Sequence, residues 1–256
     1  MSNPSPATRR TVTMAVGVVM PVHNEEELLD AALTSLEMAF AELSGWGLQQ
    51  RVVIVLDSCV DESARVAKHW IHQLRRRQRT LKATIVTSSH RNVGLARQLG
   101  CSALLERWAD VDQARIWLAT TDADSRVPQD WLRTQVLRHE AGVDVWCGRV
   151  SVVDWSNHLV ETATLWQSAY EAEPQPVHGT SLGFSAKMYC AAGGFRALHS
   201  GEDRALRREL ANIGAVVHYD SSLRVQTSGR RKARAPLGFA HALNVIGSSL
   251  RLSAQG

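Results

Sequence analysis

Ile116-Trp117-Leu118-Ala119-Thr120-Thr121-Asp122-Ala123-Asp124-Ser125 is the stretch whose reading decides the fold. It opens with apolar and β-branched residues, the mark of a buried strand, and Pro128 closes it soon afterwards. It ends in two carboxylates one residue apart. Two acids at that spacing repel unless a positive group sits beside them. A divalent cation with hard oxygen ligands fills that role, and such a cation commonly carries a diphosphate. In open α/β sheets ligands gather at the carboxyl ends of strands, where these acids lie. The plainer alternative is a polar loop in which one acid caps the next helix. Spacing alone does not separate the two.

The pattern extends on both sides. Ala15 to Met20 is a continuous apolar run, as expected of a strand buried on both faces. An amphipathic helix follows from Glu25, with Leu28, Leu29, Ala32, Leu36 and Phe40 on one stripe. Arg51 to Leu56 is a second strand ending in Asp57. Asp61 is placed to cap the helix that runs from Glu62. That helix ends in Arg75-Arg76-Arg77-Gln78-Arg79, a cation cluster that the helix dipole accounts for. Ala83 to Thr87 is a third strand, followed by a loop through Gly94 and a helix from Leu95 to Trp108 with Leu99, Leu104 and Leu105 inward. Strands recurring with helices between them predict βαβ units, hence an α/β fold with a mainly parallel sheet.

Beyond Ser125 the pattern loosens. Helices are expected over 131–138, 159–170, 186–192 and 204–213, and strands over 143–150, 216–219 and 223–226. The segment 177–185 is rich in small residues and reads as a loop whose glycines let backbone approach a ligand. The expected organisation is a disordered leader at 1–12, one domain over 13–235, and a C-terminal helix or tail over 236–256. Within the domain, 13–125 is the nucleotide-binding half and 126–235 the acceptor half.

The 256 residues carry a formal charge of +4, with 45% hydrophobic residues. That excess suits an anionic small ligand, or loose contact with an acidic membrane surface, and does not call for nucleic acid. Cys59, Cys101, Cys147 and Cys190 lack any C-x-x-C spacing and read as reduced thiols. No apolar run reaches the length of a membrane span. A cytoplasmic location is the expectation.

Four segments fall into one order: Met20-Pro21-Val22-His23-Asn24-Glu25, the strand ending in Asp57, Thr121-Asp122-Ala123-Asp124, and Gly201-Glu202-Asp203. Together they resemble the family 2 glycosyltransferases, which have the GT-A fold. The resemblance spans about Val16 to Arg234. It implies a metal-dependent transferase that moves a sugar from a nucleotide-sugar donor to a hydroxyl of a small-molecule, saccharide or lipid acceptor, with inversion. Pro21, His23 and Glu25 would line the nucleotide pocket, and Asp57 would accept a hydrogen bond from the base. Arg91, Asn92 and Gly94, with Arg97 nearby, would lie beside the nucleoside and phosphates. Asp122 would hold the ribose or the metal, Mg2+ or Mn2+, and Asp124 would ligate that metal. Asp203 would be the general base. In the tandem Glu202-Asp203, one acid could cap the helix while the other acts as base. Arg230 and Arg231, with Lys232, resemble the segment that covers the diphosphate. The Q-x-x-R-W pattern of processive synthases is missing, since Gln226 and Arg230 stand without the tryptophan.

A uridine donor is favoured over a guanosine donor because Asp57 suits a pyrimidine imide N–H, although guanine offers an N–H as well. His178-Gly179-Thr180-Ser181 is expected to face the acceptor. His218 is a candidate extra ligand, though a lone histidine in a short strand is more often structural. Trp155 and Trp166 are the tryptophans placed to stack on a sugar. Two other classes remain at this point: a sugar-phosphate nucleotidyltransferase, which would carry a Gly-rich basic loop after the first strand, and a GT-A-like scaffold with a lapsed site.

Overall fold

A computed structural model describes residues 13–77, 80–156 and 158–230. The first half follows the predicted alternation: β1 (Ala15–Val22), α1 (Leu29–Ala41), β2 (Gln49–Asp57), α2 (Ser63–Arg77), β3 (Leu81–Ser88), α3 (Val93–Arg107) and β4 (Ile116–Thr120). The second half continues with α4 (Trp131–Glu140), β5 (Val145–Val152), α5 (Val160–Ala172), β6 (Leu182–Ser185), α6 (Ala186–Ala191), α7 (Glu202–Asn212) and β7 (Val217–Thr227). Among the described residues, the seven strands join one sheet in the order β3-β2-β1-β4-β6-β5-β7. The pairs β1–β2, β2–β3, β1–β4 and β5–β7 are parallel, and only β6 runs against its neighbours. The molecule is a single α/β domain with a mainly parallel sheet.

Alternation along β1 divides the core. Val16, Val18, Met20 and Val22 face α1, α2 and α4 through Leu33, Leu36, Trp70 and Trp131. Ala15 and Val19 face α3, α6 and α7 through Ala96, Leu104, Tyr189 and Leu210. Helices α1 and α2 lie on one face. The chain then crosses by α3 to the other face and enters β4 on the far side of β1. The strand order therefore reverses at β1, and the loops after β1 and β4 diverge there to leave a crevice.

Three expectations change. The segment 177–185 is a short 3₁₀ turn, Gly179–Ser181, followed by β6. The residue β6 most constrains is Gly183: a Cβ there would stand 2.1 Å from Gln135 Oε1 and 2.7 Å from Trp117. That glycine answers to packing. The expected strands over 216–219 and 223–226 are one strand, β7, whose register against β5 shifts between Gly148 and Arg149. Asp220 turns the irregularity by accepting from the backbone N–H groups of Ser222 and Leu223 at 2.7 and 3.0 Å. Trp166 is 9% exposed, stacked on Tyr170 at 4.7 Å, and Trp155 packs on it at 5.7 Å. Trp166 thus belongs to the core and offers no sugar platform.

The four cysteines are free thiols. Among the described residues no helix is long and apolar enough to cross a membrane. The readings for 1–12, for Arg231 and for 236–256 lie outside the described residues.

Candidate active site

The parallel strands β1, β2 and β4 end at one edge of the sheet, and the predicted residues collect there. Pro21 is the penultimate residue of β1, paired with Val55. After it the chain turns sharply, with Asn24 at a φ of 55°. Asn24 holds that turn by accepting from the Val60 N–H at 2.8 Å. The His23 ring bonds the Asp57 carbonyl through Nδ1 at 2.6 Å, so the β1 and β2 loops are tied together. Ser63 accepts from the Glu25 N–H at 2.8 Å. Asp61 takes the Ser63 N–H at 3.0 Å, the helix-start role its position predicted.

Asp57 is 4% exposed and uses both carboxylate oxygens on the loop after β3. They accept from the backbone N–H groups of Arg91 at 3.0 Å and Asn92 at 2.8 Å. Arg91 itself is exposed, at a φ of 48°. Asn92 caps α3 by accepting from Leu95 N at 3.0 Å and donates to Leu198 O at 2.9 Å. Gly94 leaves room for the same crossing segment, since a Cβ would lie 2.2 Å from Arg196 O. Asn92 and Gly94 therefore dock the 193–201 segment onto the start of α3, a task the sequence did not suggest.

The two acids after β4 part company. Asp124 has an 11% exposed side chain and meets Arg230 Nη2 at 3.0 Å. Arg230 Nη1 also reaches both oxygens of Glu25, at 2.7 and 2.8 Å. The last turn of β7 delivers this arginine: Arg126 and Gln226 exchange backbone hydrogen bonds at 2.7 and 2.9 Å. Ser125 Oγ bonds Thr227 Oγ1 at 3.0 Å. Burial pushes the Asp124 carboxyl above the usual range, and Arg230 pulls it partly back.

Asp122 instead takes Arg97 Nη2 at 2.6 Å. Arg97 is 3% exposed, and its Nη1 pairs with Glu202. Burial opposes its charge, but Asp122, Glu202 and Asp203 outweigh that and hold it protonated. Burial raises the Glu202 carboxyl, with Arg97 acting against the rise. Glu202 is therefore an enclosed ion-pair partner, and it is not the helix cap. Gly201 takes the cap position at a φ of 72°.

Asp203, next in the chain, accepts from Gly179 N at 2.8 Å and Arg204 N at 2.7 Å. The His178 ring lies 5.4 Å from Tyr170, and its buried Nε2 has no hydrogen-bond partner among the described residues. Burial pushes this imidazole down to about 4, against the pull of Asp203, so it is neutral near pH 7. Thr180 Oγ1 accepts from Asp122 N at 3.4 Å, and Thr120 Oγ1 donates to Gly179 O at 2.5 Å. The turn at 178–181 thus joins the acid pair to Asp203.

The structure therefore brings Glu25, Asp122, Asp124, Glu202, Asp203 and Arg230 together in one polar region, while the Asp57 carboxylate serves the loop after β3 and its main-chain carbonyl meets the His23 ring. It leaves His218 out. That residue opens β7, beside Trp146 near the start of β5, at the opposite edge of the sheet, and faces Asp220 at 3.7 Å. Arg97 was named in the sequence only as a neighbour of the phosphate loop. Its signal was available: it falls on the buried stripe of α3 formed by Gly94, Arg97, Gly100, Cys101 and Leu104. A guanidinium on such a stripe requires buried counter-charge.

The arrangement suits a hard cation and an anionic ligand. Four carboxylates, Glu25, Asp122, Asp124 and Glu202, share two guanidinium groups, Arg97 and Arg230, and a fifth, Asp203, takes backbone N–H groups instead. Among the described residues no three His, Cys, Asp or Glu side chains converge on one point. Mg2+ and Mn2+ do not need such a cage, because waters and substrate phosphates complete their shell around one or two carboxylates. Arg230 now supplies the positive charge on Asp124.

A family model described as glycosyl transferase family 2 matches residues 17–200. No curated protein matches the chain by sequence. Among solved structures, the chain is similar to the mannosyltransferase PcManGT from Pyrobaculum calidifontis, in complex with GDP-Man and Mn2+. The TM-score is 0.64 at 17% identity, over 99% of this chain and 68% of that one. It is also similar to glucosyl-3-phosphoglycerate synthase from Mycobacterium tuberculosis, in complex with Mn2+, UDP and phosphoglyceric acid. There the TM-score is 0.51 at 15% identity, over 92% and 78%. At these identities the likeness establishes the GT-A fold.

Proposed function

Because the chain belongs to glycosyl transferase family 2, we propose that it moves a sugar from a nucleoside-diphosphate sugar to an acceptor hydroxyl, with inversion and with a divalent cation. The carrying observation is the placement of two chemically different acid sets at one sheet edge. Asp122 and Asp124 lie in the loop directly after β4, and Asp203 enters from α7, joined to Asp122 through the turn at 178–181.

Asp124, with Asp122, would hold Mg2+ or Mn2+. When bound, that cation supplies Lewis-acid stabilisation of the diphosphate as it leaves. Arg230 then exchanges its carboxylates for phosphate oxygens, a planar donor group meeting an anion of matching geometry. His23, Pro21 and Glu25 flank the crevice on the β1 side and Asp57 braces its floor. Asp57 already serves two backbone donors, so its value in choosing uracil over guanine rests on the lone pairs left over. The mannosyltransferase carries GDP-Man and the synthase UDP. Both donors therefore belong in the test, along with phosphorylated, saccharide and lipid acceptors.

Transfer balances simply. The acceptor oxygen bonds C1 as the bond from C1 to the phosphate oxygen breaks. The leaving diphosphate keeps the electron pair, and Asp203 takes the hydroxyl proton. Each Asp203 oxygen accepts one backbone N–H, which leaves lone pairs for that proton.

The test is turnover of a UDP- and GDP-sugar panel with Mn2+, on wild type, Asp124→Ala and Asp203→Asn. Asp124→Ala loses turnover. Asp203→Asn keeps nucleoside-diphosphate binding and fails to transfer. No turnover and no nucleoside-diphosphate binding by the wild type would instead favour a scaffold with a lapsed site.

A further inference from the structure

We propose that Arg97 is a positioning residue for the transfer step, setting the carboxylate of Asp203 while locking it to the donor's acid, Asp122. The inference rests on the reading of Asp203 as the base.

Arg97 touches the acceptor-side machinery at two points. One fork of its guanidinium pairs with Glu202, the residue directly before Asp203 in the first turn of α7. Its flat face lies on Gly179, so closely that a Cβ there would stand 2.3 Å from Nη1 and 2.4 Å from Cζ. Gly179 in turn donates its N–H to Asp203 Oδ2 at 2.8 Å. The guanidinium therefore braces both the backbone that carries Asp203 and the backbone that holds its carboxylate. Its other fork takes Asp122 at 2.6 Å. Phe195 covers it, with the ring centre 5.9 Å from Cζ.

Three features make this more than packing. A planar fork fits two carboxylates in fixed directions, which a lysine cannot do. The guanidinium and Glu202 are both buried, so Glu202 left alone would be an uncompensated charge in a dry site, while the half-buried Asp122 is the partner that faces the crevice. The glycine at 179 is also required by the guanidinium's approach. Errors of about 1 Å in the placement of a catalytic group cost on the order of 100-fold in rate. A brace of this kind is where such precision originates.

The test is Glu202→Gln, which keeps the Asp122 pair and reduces the charged brace on α7 to a neutral hydrogen bond. Binding of UDP and GDP with Mn2+ is read by calorimetry, and turnover of UDP-glucose and GDP-mannose is read with water as acceptor. We expect turnover to fall roughly 10- to 100-fold while nucleoside-diphosphate affinity stays within about twofold. Merely weakened folding would lower the amount of competent protein and move both readings together. Turnover within about twofold of wild type overturns the proposal, as does a matching loss of binding. If Glu202→Gln does not fold, Gly179→Ala displaces the guanidinium without altering any charge, and the same drop in turnover is expected. Wild type and Asp203→Asn run alongside. An active Asp203→Asn overturns the base reading itself, whereas an inactive Asp203→Asn with unimpaired Glu202→Gln overturns only the role of Arg97.

Discussion

Glu25 and Asp124 come from the ends of different strands, yet one guanidinium, that of Arg230, holds both. The cation that the acid pair calls for and this arginine compete for Asp124. Arg230→Met is therefore expected to bind Mn2+ alone about tenfold more tightly and nucleoside diphosphate with Mn2+ about tenfold more weakly, as calorimetry would show. Equal changes in one direction would mean that Arg230 acts on only one of the two ligands. His178 gives a second residue-level prediction. Its folded value lies near 4, below the ordinary 6.5 of the unfolded chain. Between these values the unfolded state binds more protons, so the histidine lowers stability as pH falls through that window. His178→Gln should remove part of the stability loss between about pH 6.5 and 4, seen as a flatter plot of melting temperature against pH. An unchanged slope would place the ring in a wetter setting. Asp122 and Asp124 were legible as residues because their spacing after an apolar run is local information. Their division of labour, one on Arg97 and one on Arg230, was not, since both partners lie far away in the chain.

The βα units of the first half were readable because strand and helix differ in hydrophobic period, and each unit there carries a long, clean pattern. Strand β6 was not. Its four residues are too few for a period, and Gly183 looked like a ligand-loop glycine when it yields to Trp117 and Gln135. Strand β7 was split in two because Asp220 and Ser222 resemble a turn, and they form one, inside a strand that continues past it. Helix α3 shows the same lesson on its first turn. Gly94 was assigned to the nucleoside loop, and its immediate physical task is to let the 193–201 segment cross at Arg196 O. Gly94→Ala should cost about 1–3 kcal/mol, read as a lower denaturation midpoint with an unchanged m-value. A melting curve like that of wild type would mean the crossing segment yields freely.

At the scale of the molecule, the strand order reverses at β1, and that reversal opens the crevice into which the loops of both halves lead. The first half contributes Glu25, Asp57 and the acid pair. The second contributes Asp203, Arg230 and three strands of the same sheet. The polar network that joins them holds more negative charge than positive, so ligand and cation should each raise the other's affinity. The most direct measurement is the melting temperature of the wild-type protein with UDP or GDP, with Mn2+, and with both. The account predicts a rise of several degrees with the pair, and little with either component alone. An equal rise with the nucleoside diphosphate in the presence of a metal chelator would contradict it.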